Sequence, residues 1–142
     1  MVLIFLDIDG VMLPAKSWEK PELLNDGFMS FDKKAVQAIN QILGPSDTII
    51  ITSSHRTKYS ISKWIEIFQH REINIGEINL LPVFPNCKSR KEELLHFLEN
   101  NISNEDFLII DDDKSLLDLP SSYKDKLILT SSLIGLHPEL VH

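Results

Sequence analysis

The chain is poor in the features that stabilise secreted or membrane-spanning folds, and it is poor in basic charge. Cys87 is its single cysteine, so no intramolecular disulfide forms, which fits a reducing compartment. No apolar run approaches the roughly 20 residues of a membrane span. The N-terminal apolar run has no basic leader and is too short for a signal peptide, so a cytoplasmic location is expected. Lys and Arg total 14 against 21 Asp and Glu, a net charge of -7. That sign disfavours a general binder of nucleic acid or anionic membrane. It still permits a small phosphorylated group held by a few local cations. There is no internal repeat and no low-complexity linker. His70, His96, His137 and His142 have no metal-ligand spacing and read as structural.

What is present is a regular alternation of short apolar runs and amphipathic segments. A length of 142 residues suits one domain with a full core. Residues 2–7 read as a strand whose unbroken apolar run suits a parallel sheet buried on both faces. Asp32 is placed to cap a helix over 33–43, with Ala35, Val36, Ile39 and Ile42 on one face and Gly44-Pro45 as its stop. Further strands are expected at 48–51, 78–84, 107–110 and 127–129. A second helix is expected over 58–69, with Trp64 and Phe68 in the core. A third runs to about Glu99, with Ser89 and Glu92 as a capping box. This order predicts an α/β fold, a parallel sheet covered by helices on both faces.

Three polar clusters follow three of the apolar strands. Asp7-Ile8-Asp9-Gly10 ends the first, Thr52-Ser53-Ser54-His55-Arg56 ends the second, and Asp111-Asp112-Asp113 ends the fourth. In a parallel sheet all three emerge on the ligand-binding edge. Two aspartates one residue apart repel each other unless a cation or a shared proton relieves them, so the first cluster proposes a divalent metal. Gly10 lets the chain turn away sharply. Carboxylates on that edge suit Mg²⁺, an oxygen-seeking ion that keeps waters for a phosphate to replace. Thr52 and Ser53 supply donors near a helix start, which suits a phosphate. A cation from Lys88, Arg90 and Lys91 neutralises remaining charge. Together they point to a nucleophilic carboxylate acting on a phosphoryl group. Cys87, beside Lys88, reads as incidental rather than reactive.

On Leu6-Asp7-Ile8-Asp9-Gly10-Val11, Ile51-Thr52-Ser53-Ser54 and Ile110-Asp111-Asp112-Asp113, in that order, the chain resembles the haloacid dehalogenase (HAD) superfamily of phosphohydrolases. The resemblance implies a Rossmann-like three-layer αβα sandwich around a central, mostly parallel five-stranded sheet. It implies Asp7 as the nucleophile that forms an aspartyl-phosphate, and Asp9 as the acid and base, with its carbonyl on the metal. It further implies Thr52 and Ser53 as the phosphoryl-binding pair, and Asp112 and Asp111 as ligands of Mg²⁺ together with Asp7 and Asp9. A narrower likeness rests on Ser53-Ser54-His55-Arg56, Arg90-Lys91-Glu92-Glu93-Leu94 and Ile134-Gly135-Leu136. It resembles the small HAD domains associated with nucleic-acid (RNA) repair proteins, which usually carry Trp where His55 stands. That pattern ranks Arg90 first and Lys88 second as the basic, phosphate-binding residue.

Too little chain separates the motifs for a cap domain. The expectation is therefore one catalytic domain over 1–142 with a short flap at 12–30, and substrate selection in that flap and around His55 and Arg56. The activity expected is Mg²⁺-dependent phosphomonoester hydrolysis of a phosphorylated small molecule or a nucleic-acid end. The alternatives are a polynucleotide-end phosphatase in repair, and a non-catalytic phosphate-binding or regulatory module.

Overall fold

The computed structural model describes residues 2–15, 22–101 and 106–141. Five strands, β1 (Val2–Leu6), β2 (Thr48–Ile51), β3 (Glu77–Leu80), β4 (Asp106–Asp111) and β5 (Leu127–Leu129), form one sheet in the order β3-β2-β1-β4-β5. Every pairing is parallel, so the expected mostly parallel sheet is wholly so. The helices are α1 (Lys33–Ile42), α2 (Ile61–His70), α3 (Arg90–Asn101) and the short α4 (Ser121–Lys124). This is the Rossmann-like α/β arrangement. Its strand order reverses direction between β1 and β4, the crevice in which such sheets bind ligands.

Side-chain alternation along each strand divides the core in two. Ile4, Leu6, Ile49, Ile51, Ile78 and Ile110 pack under α1 and α2, against Ala35, Ile39, Trp64, Ile67 and Phe68. Leu3, Phe5, Ile50, Phe107 and Ile109 face the other way, against Leu94 and Leu98 of α3 and against Leu116 and Leu119. Each fully buried Leu, Ile or Phe contributes roughly 1.5–3 kcal/mol. Sliding a strand by one residue would reverse its faces and forfeit both sets, which fixes the register.

Most boundaries fall within two residues of the sequence expectation, and the larger differences have physical causes. β3 stops at Leu80, short of the expected 84: Leu81 still donates to the Ile51 carbonyl, but the Arg56 guanidinium takes the Leu81 and Pro82 carbonyls in place of a further strand pairing. The second helix begins at Ile61 rather than 58, because Ser60 caps it by accepting from Lys63 N at 3.1 Å and a separate 3₁₀ turn covers Arg56–Lys58. β4 runs one residue further, through Asp111. A 3₁₀ turn at Lys114–Asp118 and the short α4, both unforeseen, fill the β4–β5 connection.

The expected flap lies partly in residues 16–21, outside the described residues. Its second half is a small hairpin bridged at Leu23 and Met29, with Leu24 donating to the Phe28 carbonyl at 2.9 Å. Arg71, at the end of α2, holds this hairpin down. Its guanidinium donates to Asp26, to the Phe28 and Met29 carbonyls and to the Ile67 carbonyl, and it lies over the Phe28 and Phe31 rings. Phe28 also packs edge-on against Tyr59 and Trp64. Among the described residues, no helix is long and apolar enough to cross a membrane.

Candidate active site

The sheet itself aligns three of the candidate residues. Leu6 of β1 pairs with Ile51 of β2 and Ile110 of β4, so Asp7, Thr52 and Asp111 follow side by side. Asp7 N donates to the Ile110 carbonyl at 3.1 Å, and Thr52 N donates to the Leu6 carbonyl at 3.0 Å. Leu6, Ile51 and Ile110 face α1 and α2, so the next residue on each strand turns to the opposite side. There α3 begins, with Arg90 as its first residue.

Arg90 Nη1 lies 2.7 Å from Asp111 Oδ2 and 3.3 Å from Asp7 Oδ2. Of the three basic candidates it is the one whose side chain meets the acidic cluster. Lys88 is exposed and its ammonium has no partner among the described residues, and Lys91 is half-buried on α3. Asp7, Asp111 and Asp112 bring ligand oxygens within 4.8 Å of one another. Asp113 uses its carboxylate differently, accepting from Ser115 N at 2.9 Å as the cap of the 3₁₀ turn.

The charges of this cluster suit a cation. Burial pushes the Asp7 carboxyl up to about 7; repulsion from Asp111 adds to the rise and Arg90 opposes it. Asp111 is raised as well, by burial first, again against Arg90. Burial works against the charge on Arg90, but Asp111 and Asp7 outweigh it and raise its pKa. Three carboxylates beside one guanidinium leave a double negative charge when all are ionised, which one divalent cation balances. The donor set is all oxygen, as Mg²⁺ prefers. Thr52 adds an uncommitted hydroxyl on the same sheet edge. It is 1% exposed, and its Oγ1 has no hydrogen-bond partner among the described residues. Leaving a buried hydroxyl unsatisfied costs about 1–3 kcal/mol.

Asp9 stands apart from the cluster. Its carboxylate is exposed at the rim, 3.5 Å from His55 Nε2. Ser53 is buried, and its Oγ accepts from His55 N at 3.2 Å. Gly10 does more than turn the chain. At φ +80 it faces Asp112, and a Cβ there would stand 2.0 Å from Asp112 Oδ2.

These contacts correct one expectation and add residues that were not foreseen. Arg56 is 4% exposed and is unavailable to a substrate. It donates to the Leu81 and Pro82 carbonyls, to the Thr52 and Ser53 carbonyls and to Glu93 at 2.6 Å, and so ties the β2 loop to α3. The Cys87 thiol is pushed up, by burial first and then by Glu92 and Glu93, the reverse of an activated thiol. Thr130, just after β5, donates through Oγ1 to the Gly10 carbonyl at 2.8 Å, and its N donates to the Asp111 carbonyl at 2.9 Å. It thereby fastens the first acidic loop to the second. Gly135 serves the same join: Leu136 N reaches the Val11 carbonyl at 2.9 Å, and a Cβ on Gly135 would stand 2.7 Å from that oxygen.

A family model described as the HAD domain in Swiss Army Knife RNA repair proteins matches residues 3–141. The chain belongs to this family. Neither curated proteins nor solved structures gave a match. Membership places this HAD domain in a phosphatase-like hydrolase superfamily and in the setting of RNA repair. The acidic cluster lies at the C-terminal ends of β1 and β4. A cavity of about 570 Å³ at Gly44, Pro45, Ile73 and Asn74 lies before β2 and β3, at the wrong end of the sheet and away from the acidic cluster.

Proposed function

We propose that this HAD domain is a Mg²⁺-dependent phosphomonoesterase acting on phosphorylated RNA ends through an aspartyl-phosphate on Asp7. The observation that carries the reading is the meeting of Asp7, Asp111, Asp112 and Arg90 beside the unsatisfied Thr52 hydroxyl, at the strand-order reversal of the sheet. Asp7, Asp111, Asp112 and the Asp9 carbonyl would hold the ion. When bound, it would neutralise charge on the carboxylates and on the phosphate, and so keep Asp7 ionised at neutral pH.

Thr52 and Ser53 bind the transferring phosphoryl. Arg90 meets both Asp7 and Asp111 through Nη1, which leaves Nη2 and Nε for phosphoryl oxygens. An Asp7 oxygen attacks phosphorus as the bond to the leaving alcohol breaks, and Asp9 gives that alcohol oxygen its proton. Asp9, now a carboxylate, takes a proton from water; the hydroxide attacks phosphorus, and inorganic phosphate leaves with Asp7 restored. The exposure of Asp9 suits both roles, since it must meet the leaving group and then water. The site is open, with no cap domain among the described residues, and admits the end of a polymer.

The test is Asp7→Asn, which is expected to abolish Mg²⁺-dependent hydrolysis of an aryl phosphate while leaving the circular dichroism spectrum and melting temperature close to wild type. Undiminished turnover in that variant would sink the mechanism. A long-lived phosphorylated wild-type protein with negligible turnover would favour the regulatory reading instead.

A further inference from the structure

A groove of about 430 Å³ leads away from the acidic cluster. It is lined by Ser54, Val83, Phe84, Lys88, Arg90 and Asp113. It shares Arg90 with the site, 3.3 Å from Asp7, and Ser54 and Asp113 adjoin Ser53 and Asp112. A lone phosphate at Asp7 would leave this volume empty, and the volume lies in the range of small-molecule sites, roughly 300–1,000 Å³.

Its walls differ in chemistry. Val83 is 60% exposed, between Pro82 and Pro85, which restrict the loop backbone. Phe84 is held edge-on by His96, with ring centroids 4.5 Å apart. These two make a preformed apolar strip. Of the charged side chains in the groove, Arg90 is shared between Asp7 and Asp111, Glu93 is taken by Arg56, and Asp113 caps a 3₁₀ turn. Lys88 alone has no partner among the described residues. Its backbone N donates to Glu92 Oε2 at 2.6 Å, which fixes the backbone from which the ammonium extends. An unpaired cation beside an apolar strip, on a chain of net charge -7, is a local match for a nucleotide.

We propose that this groove binds the nucleotide next to a phosphorylated RNA end, with Val83 and Phe84 against its base or ribose and Lys88 on the internucleotide phosphate. The inference rests on the phosphomonoesterase reading above and deepens it, since it selects an oligonucleotide end over a mononucleotide.

Diadenylates carrying a 3′- or a 5′-phosphate separate the two claims when compared with 3′-AMP, 5′-AMP and an aryl phosphate. At least one diadenylate is expected to exceed its mononucleotide by about tenfold in kcat/KM, the scale of one stacked base and one phosphate contact. Lys88→Ala and Val83→Asp are each expected to reduce that ratio several-fold. Cys87, the single cysteine, also lines the groove and reports occupancy without turnover. In the Asp7→Asn variant the preferred diadenylate is expected to slow maleimide alkylation of Cys87, whereas inorganic phosphate is not. Hydrolysis of the aryl phosphate and mononucleotides with no diadenylate preference would overturn the groove and leave the phosphomonoesterase standing. A preference that neither substitution changes would also overturn it. No hydrolysis of any of these phosphates would overturn the underlying reading and the groove with it.

Discussion

Gly10→Ala is the sharpest test of how the acidic cluster is held together. The added Cβ would stand 2.0 Å from Asp112 Oδ2 and 2.5 Å from its Cγ, where Cβ contacts essentially never fall below 3.0 Å. Asp112 must therefore retreat by about 1 Å. Mg²⁺ requires near-octahedral ligands at about 2.0–2.1 Å, and a workable site tolerates about 0.2 Å. The retreat is roughly five times that tolerance, so the substitution would take Asp112 out of the proposed ion site without mutating it. The φ of +80 adds a backbone penalty of about 1–2 kcal/mol for a non-glycine residue. With an unfolding entropy of roughly 2.1 cal/mol/K per residue over 142 residues, that penalty lowers the melting temperature by about 3–7 °C. The expected result is a Mg²⁺ half-activation concentration raised roughly 10–100-fold, with a folded protein at 25 °C. The double variant Gly10→Ala, Asp112→Ala decides the route. If the alanine acts through Asp112, the two losses in metal affinity are not additive. Unchanged half-activation in Gly10→Ala, or full additivity in the double variant, would refute the reasoning.

Arg56→Met removes five hydrogen bonds and leaves Glu93 without its 2.6 Å partner; a loss of about 3–5 kcal/mol by urea denaturation is expected, and one below about 1 kcal/mol would make Arg56 a surface residue after all. The side-chain hydrogen bond from Arg71 holds the Asp26 carboxyl at about 2, below its ordinary 3.8. The stabilisation from that pair is thus fully present above about pH 4 and disappears as pH falls through about 2. The gap in urea midpoint between wild type and Asp26→Asn is expected to close over that window, and a constant gap would contradict the assignment.

The three clusters were legible because buried parallel strands read as unbroken apolar runs, and such runs end abruptly where the chain reaches the ligand edge. Val2–Leu6, Thr48–Ile51 and the strand at Phe107 each announce themselves in this way. Arg90 ranked first only through the likeness to the RNA-repair HAD domains; that α3 covers the face of β1 shared by Leu3 and Phe5, and so brings Arg90 to Asp7, exists only in the fold. What local pattern could not reveal was the long-range wiring. Nothing around Arg56 marks it as buried, because the partners that enclose it besides Thr52 and Ser53 are Leu81, Pro82 and Glu93, up to 37 positions away. Thr130 follows the three-residue β5, too short to establish a period, and its role depends on Gly10, 120 positions earlier. The 3₁₀ turns carry no helical repeat to detect. The candidate carboxylates and Thr52 were thus readable from strand ends, while the residues that hold their loops in place belong to contacts that exist only after folding. Gly10 belongs to both groups. Its turn is visible in the sequence, and the space it leaves for Asp112 is not, so the substitution there tests whether the second role matters to the metal as much as the first does to the chain.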